Sequence, residues 1–457
     1  MKIREITCPL PAVELFHRLS RRPGCFFLDS AQASGGLGRF SFLGCEPRLV
    51  VAATGTSLRL TRDGTTTHRE GQPLEVLREL LAERRGPAHA LLPFTAGAVG
   101  GISYEAGSAL ESITSLRPAG SLPELHFGFY DGSFAFDHAS GKSYLTAHAT
   151  AGSDDEILDR LEHVLRAALA DMPPAARPAT NGTEPRAQWE KPGYLAAVQR
   201  IRDFIAAGDV YQVNLTQRFD AVLGIPAPEL YLKLRSLSPA PFACYYDGGD
   251  WQAVGCSPER FLRLAQGRVE TRPIKGTRPR GATPEEDRRL RAELLASAKD
   301  RAELLMIVDL ERNDLGRICE FGSVKVDEDC RLEEHPTVFH LVGTVSGRPR
   351  PDVDVFDCLR ATLPGGSITG APKIRAMQVI NELEPVRRGF YTGAFGYLGC
   401  DGGCDLNVAI RTILCAGGRA SYHVGGGIVW DSDPESEYQE SLAKGRALRA
   451  ALMPPSL

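Results

Sequence analysis

Aromatic residues make up only 7% of this chain of 457 residues, and no stretch approaches the roughly 18 consecutive apolar residues of a helical membrane span. A helical membrane-spanning class is excluded. Charge of one sign is lacking too: the net charge is -4, with 53 lysines and arginines against 57 aspartates and glutamates, which leaves no basic footprint for nucleic acid. An anionic substrate must then be gathered by a local site. The opening Met1-Lys-Ile-Arg-Glu-Ile6 lacks the apolar core of a secretory leader. Eleven cysteines are scattered without paired short spacings, and Cys400-x3-Cys404 has no second Cys or His pair to complete a zinc site. The thiols read as reduced, so the expected compartment is the cytoplasm. No cysteine stands in a Gly-x-Cys-x-Gly elbow, so a glutaminase nucleophile is not expected within the chain.

What is present is ordinary globular material, 43% apolar and 24% charged, in a chain long enough for more than one domain. Short β-rich runs occupy 26–28, 39–43 and 48–52, and 57–61 joins 65–68 across Asp63-Gly64, a hairpin signal. A helix is expected at 74–83, and Gly97, Gly100 and Gly101 read as packing glycines in a strand and turn. The segment 155–170 predicts an amphipathic helix with Ile157, Leu158, Leu161, Val164, Leu165 and Ala168 on one face. The Pro-, Ala- and Gly-rich stretch after it buries little and reads as a linker or mobile loop. The expected organisation is an N-terminal domain at 1–170, a linker at 171–188 and a second domain at 189–450. In the second half, helices are expected at 193–207, 285–295, 299–310 and 434–444, with strands at 209–216, 244–246, 261–264, 337–345, 391–396, 406–414 and 420–425.

Several residues in this half bear chemistry. Lys275 lies between an apolar strand end and a turn made by Gly276 and two prolines, in Thr271-Arg-Pro-Ile-Lys-Gly-Thr-Arg-Pro-Arg-Gly281, so its backbone is stiffened by fixed φ angles. On spacing alone it reads as a solvated turn lysine. Asp300 and Glu303 share a helix face, by itself a solvated one, and His340 shares a strand face with Val338 and Val342, by itself a core position. Gly365-Gly-Ser-Ile-Thr-Gly370 imitates a phosphate loop, but Ala371 stands where the loop lysine belongs. What remains is a glycine turn entering a helix with Pro372 near its first position, whose free N–H groups suit a carboxylate. Arg411 emerges from an apolar alternation and needs an acidic partner. Glu437, Glu440 and Lys444 lie on one face of the last long helix, with Tyr438, Leu442 and Gly445 on the packed one.

Five blocks, taken together, resemble the signatures of chorismate-utilising enzymes: Ser257-Pro-Glu-Arg-Phe261, Pro273-Ile-Lys-Gly-Thr277, Asp309-Leu-Glu-Arg-Asn-Asp314, Gly365-Gly-Ser-Ile-Thr-Gly-Ala-Pro-Lys373 and Gly425-Gly-Gly-Ile-Val429. The resemblance runs from about Trp189 to about Arg449. It implies an α+β fold, a large two-sheet β-sandwich with helices packed outside. The lysine at 275 is similar to that of the aminodeoxychorismate synthase component I branch, where anthranilate synthase carries alanine. Gln212 is similar to the ammonia-adding members; water-adding ones carry a lysine base there, and glutamine accepts no proton near neutral pH. Ser30, Arg39 and Ser41 match loosely the surroundings of a tryptophan pocket in the family and are left unassigned.

The resemblance implies a site. Lys275 is the nucleophile, Glu259 the general acid and base, and His340 its assistant. Gln212, Ser367, Tyr391, Arg411, the backbone of Gly425, Gly426 and Gly427, and Lys444 would hold the two carboxylates of chorismate. Glu303 with Glu440, and Glu437 beside them, would bind magnesium, which suits an all-oxygen set. Lys275 would attack C2 as the 4-hydroxyl leaves, and ammonia would open the adduct at C4. For that its pKa must fall, by desolvation or by a cation such as Arg272. The ammonia would come from a separate glutamine amidotransferase subunit, and the product, 4-amino-4-deoxychorismate, would serve 4-aminobenzoate and folate synthesis. The alternatives are anthranilate synthase component I, an isochorismate or salicylate synthase, which Gln212 disfavours, a Schiff-base aldolase using Lys275, and a silent ligand-binding subunit.

Overall fold

Two antiparallel sheets of 12 strands each carry the fold in a computed structural model that describes residues 1–32, 37–170, 182–335 and 338–453. The first sheet runs, neighbour by neighbour, through Lys2–Ile6, Lys142–Ala147, Gly132–Asp137, Phe40–Gly44, Phe26–Asp29, Phe242–Asp247, Trp251–Ser257, Thr412–Ala416, Arg419–Ile428, Gln212–Val222 and Arg186–Ala187, with Gly370–Ala371 also pairing the 212–222 strand. The second runs through Ile274–Pro279, Val338–Gly347, Arg268–Arg272, Arg260–Ala265, Cys404–Val408, Ala394–Gly399, Gly97–Ile102, Leu125–Tyr130, Leu49–Thr54, Ser57–Arg62 and Thr65–Glu70, with Lys325–Glu334 on the 338–347 strand. Each sheet takes strands from both halves of the chain. The halves meet through direct pairing of Phe26–Asp29 with Phe242–Asp247 and of Gly97–Ile102 with Ala394–Gly399.

The sheets face each other across an aromatic layer of Phe26, Phe42, Phe94, Tyr130, Tyr246, Trp251, Phe390, Phe395 and Tyr397. Helices close the outer faces. Ala12–Leu19, Asp154–Ala170, Ala227–Leu237, Arg446–Leu452, Lys191–Ala206 and Lys373–Leu383 pack on the first sheet, the last two against its Gln212–Val222 strand, and Pro73–Ala82, Ala298–Gly316 and Val355–Thr362 on the second. The expected sandwich with outer helices is the observed one. With both faces covered, strands such as Leu125–Tyr130 and Gly132–Asp137 are buried at every position, so alternation disappears from their sequence. The Asp63-Gly64 turn holds both residues at positive φ, 47° and 78°, as a two-residue hairpin requires. Gly100 could not be replaced: a Cβ there would lie 2.0 Å from the His126 carbonyl oxygen.

Three expectations need correction. The strand expected over 406–414 is two strands in different sheets, Cys404–Val408 and Thr412–Ala416, with Arg411 at φ 52° between them. The apolar run continues because the crossing residues are packed as well as the strands. Tyr391 sits in the turn before the Ala394–Gly399 strand, not within it. Pro372 caps the helix beside its first residue, as expected, and Lys373 at that helix start turns inward to Asp314 and to the Thr362 carbonyl. Of residues 97–105, read as strand and turn, 97–102 form a strand and Tyr104–Glu105 open a helix, Tyr104–Leu110, capped by Ser103. Residues 171–181 of the expected linker and Thr337 of the expected strand lie outside the described residues. No helix among the described residues is long and apolar enough to cross a membrane.

Candidate active site

Two of the chain's crossings between the sheets lie side by side. Pro258-Glu259 links Trp251–Ser257 of the first sheet to Arg260–Ala265 of the second, and residues 409–411 link the second back to the first. The two crossings are tied together: Val408 N–H donates to the Glu259 carbonyl at 3.0 Å, Ser257 Oγ donates to the Val408 carbonyl at 2.6 Å, and Cys256 N–H donates to the Arg411 carbonyl at 3.0 Å. Glu259 and Arg411 therefore stand at the seam of the sandwich.

Around Glu259 the geometry is tight. Its carboxyl is buried and accepts from Ser367 Oγ at 2.6 Å, while the Ser367 carbonyl accepts from Lys275 Nζ at 3.0 Å and from Asn214 Nδ2 at 2.8 Å. One residue of the 366–368 turn thus touches both the acid and the amine. Burial pushes the Glu259 pKa up to about 7, against the Ser367 hydroxyl, the Lys275 charge and the Ile274 backbone, which favour the carboxylate. Burial likewise lowers the Lys275 pKa from its ordinary value; Glu303 and Glu259 oppose this, and Lys444 assists it. The cation that assists is Lys444, not Arg272, whose guanidinium is paired with Glu333 at 2.5 Å. Glu259 and Lys275 flank a hairpin turning at Gly267, in which Arg260 faces Arg272.

His340 lies opposite Thr277, whose hydroxyl meets its Nδ1 at 2.9 Å. Burial, with His335 and Arg411 nearby, pushes the His340 pKa down to about 3, so the ring is neutral and contributes a hydrogen bond rather than a proton of its own at neutral pH.

Three buried groups here were not read from the sequence as site residues. Glu311, on the 298–316 helix, bonds the Thr271 hydroxyl, and burial pushes its pKa up to about 8, with Glu259 and Asp314 adding to the rise. Its signal was available: Leu304, Ile307, Val308, Glu311 and Leu315 form one buried stripe, with a carboxyl where an apolar residue belongs. Arg388 and Glu384 form a buried pair at 2.7 Å. Glu384 also accepts from Thr216 N–H at 3.0 Å and Thr216 Oγ1 at 2.9 Å, while Arg388 donates to the carbonyls of Ile368 at 3.0 Å and Asn214 at 2.8 Å. This pair pins the turn carrying Ser367 to the 212–222 strand.

Across the site lies the Gly425–Gly427 stretch, paired with Thr216, Leu215 and Asn214. A Cβ on Gly427 would fall 1.8 Å from Gln212 Nε2, and one on Gly425 would fall 2.1 Å from the Leu215 carbonyl oxygen. Gln212 is fully buried, and neither atom of its amide has a partner among the described residues. Lys444 donates to the Gly425 carbonyl at 3.1 Å and pairs with Glu440 at 2.7 Å.

The carboxylates expected to hold magnesium come from two helices, Glu303 from 298–316 and Glu437 and Glu440 from 434–444. Burial holds Glu303 and Glu437 above the usual carboxylate range, with Glu437 adding to the rise at Glu303 and Glu440 to that at Glu437; Lys444 holds Glu440 below it. Mutual repulsion of hard oxygen donors is what a divalent cation relieves, so the donor set fits magnesium. Among the described residues no three His, Cys, Asp or Glu side chains form a closed metal cluster, and an ion here would need other oxygens from water or substrate.

Arg411 has no ion-pair partner among the described residues, and burial lowers its pKa. Tyr391, beside it, stacks on His423 with centroids 5.0 Å apart. A buried cation at a seam, an amine whose pKa burial lowers and a carboxyl whose pKa burial raises make an arrangement suited to binding an anion and exchanging a leaving group under acid catalysis.

The model of a family described as chorismate binding enzyme matches residues 25–450. The chain is 38% identical to anthranilate synthase component 1 of Cereibacter sphaeroides over 94% of this chain and 89% of that protein. It is 36% identical to aminodeoxychorismate synthase component 1 of Bacillus subtilis over 96% and 94%. Its structure superposes on anthranilate synthase component I from Streptococcus pneumoniae with a TM-score of 0.80 and 35% identity, covering 90% of this chain and 92% of that one.

Proposed function

The chain belongs to the chorismate binding enzyme family, and on that premise we propose that it converts chorismate and ammonia to 4-amino-4-deoxychorismate, as an aminodeoxychorismate synthase component I. The observation that carries this reading is the lysine amine at 275, held 3.0 Å from the carbonyl of the same serine whose hydroxyl meets Glu259.

Lys275 Nζ, neutral, forms a bond to C2 of the ring. The C1–C2 π pair shifts to C1–C6, the C5–C6 pair to C4–C5, and the C4–O bond breaks as Glu259 gives its proton to the departing hydroxyl, releasing water. Ammonia then bonds to C4, the two π pairs shift back, and the C2–N bond returns its electrons to Lys275. The ammonium so formed at C4 gives a proton to Glu259, restoring it. Arg411 binds a ring-system carboxylate and holds C2 within reach of Lys275. His340 and Thr277 orient the leaving hydroxyl. Magnesium on Glu303, Glu437 and Glu440 would supply Lewis-acid polarisation of the ring carboxylate.

The relatives' name "component 1" supports a partner subunit, which we take to be the glutamine amidotransferase that supplies ammonia. The second reading, anthranilate synthase component I, is favoured by several relatives of that name. Lys275 weighs against it, since addition of ammonia at C2 requires that carbon to be free. The adduct tests the proposal: with chorismate and magnesium but no ammonia, the intact protein should gain the mass of chorismate less water, and Lys275→Ala should not. No added mass on a wild-type protein that turns chorismate over would refute the lysine-first order.

A further inference from the structure

Near the Tyr104–Leu110 helix, away from Lys275 and Glu259, a cavity of about 200 Å³ opens against the Lys373–Leu383 helix. One wall is apolar, with Met377 and Ile380. The other is polar. Tyr104 is 6% exposed, and among the described residues its hydroxyl, with Ser108 beside it, makes no hydrogen bond of ordinary length. Most charges lining the cavity cancel: Arg387 pairs with Glu124 at 2.8 Å and Arg388 with Glu384 at 2.7 Å. Two do not. Arg117 donates only to main-chain carbonyls at the end of the 373–383 helix, Glu384 at 2.8 Å and Glu382 at 3.0 Å. Glu105 accepts the Arg388 N–H at 2.8 Å. Neither forms an ion pair among the described residues.

A pocket with one arginine and one carboxyl outside any ion pair, a buried hydroxyl and an apolar wall suits a small molecule carrying both charges and an apolar body. We propose that this cavity binds a zwitterion of the α-amino-acid class, its carboxylate at Arg117 and the Tyr104 hydroxyl, its ammonium at Glu105, and its side chain against Met377 and Ile380. A ligand with a single charge leaves the opposite group unpaired. The site communicates with the seam, because the Arg388 whose N–H meets Glu105 also holds the Ile368 and Asn214 carbonyls beside Ser367.

Calorimetric titration of the full chain without chorismate, using L-leucine, L-methionine and L-valine as probes, tests this independently of which product the enzyme makes. Saturable binding of at least one probe is expected. Leucine methyl ester and 4-methylpentanoate, each lacking one charge, should bind about tenfold more weakly or worse, as should the binding probe to Arg117→Ala and Glu105→Gln. Tyr104→Phe, which keeps the ring, should weaken binding several-fold. Melting curves of each variant establish that the fold is retained. No saturable binding of any of the three probes to the wild type overturns the proposal. So does binding unchanged in both charge variants, or equal binding of the singly charged analogues.

Discussion

Replacing Arg388 by methionine should be among the most costly single changes in this molecule. The side chain is 2% exposed and Glu384 is 4% exposed, so the substitution strands a carboxylate that water cannot reach. Breaking one member of such a buried pair costs roughly 3–5 kcal/mol. The Ile368 and Asn214 carbonyls lose their guanidinium donors as well, at about 1–3 kcal/mol for each group left unsatisfied. The Thr216 N–H and hydroxyl remain on Glu384 and offset part of this. A net loss of about 4–6 kcal/mol is a large share of the roughly 5–15 kcal/mol that holds a domain folded. Removing both partners, as in Arg388→Met with Glu384→Leu, deletes the stranded charge, so the double variant should be more stable than Arg388→Met alone. Urea unfolding of the wild type, the two single variants and the double variant measures this. If Arg388→Met costs under about 1 kcal/mol, or if the double variant loses the sum of the single losses, the pair is not the pin described above.

Three further outcomes follow from the site. Glu259 holds its proton up to about pH 7, so turnover normalised to free ammonia should fall on the alkaline side of that value. In Glu259→Gln that limb should vanish while the rate drops about 10²–10⁴-fold; an unchanged profile would remove Glu259 as the acid. Glu311, with its folded pKa raised to about 8, contributes stability that is full at low pH and lost as pH rises through 8. The unfolded chain releases that proton from about pH 4.5, and at about 1.4 kcal/mol per pH unit the loss is at most about 5 kcal/mol. Stability of Glu311→Gln should therefore fall less than that of wild type between about pH 5 and about pH 8, and parallel curves would show that Glu311 is ionised in the fold. Gly427→Ala drives a Cβ to 1.8 Å from Gln212 Nε2. Turnover should fall at least about tenfold with about 1–3 kcal/mol lost on unfolding, and adding Gln212→Ala should restore the stability but not the rate. A Gly427→Ala enzyme equal to wild type in both would contradict the packing described.

Much of the fold was legible because local chemistry and burial agree. The Asp63-Gly64 hairpin, the 154–170 stripe and the Pro434 helix start each carry their own cause in adjacent residues. The 406–414 run misled because alternation records burial and not sheet membership, and the residues crossing the seam at Ala409 and Ile410 are as apolar as the strands they join. Glu259, Lys275 and the carboxylates of the candidate site were proposed by motif resemblance. The groups that pin them, Glu384 and Arg388, were not, since their partners Thr216, Asn214 and Ile368 are supplied by the fold from distant parts of the chain.

The most direct test of the central claim is the mass of the product formed from chorismate, magnesium and ammonium salt at high pH, with wild type beside Lys275→Ala and a lyase added to reveal 4-aminobenzoate. The account predicts 4-amino-4-deoxychorismate from the wild type and loss of most of that activity in the variant. Anthranilate or a water adduct from the wild type would contradict it.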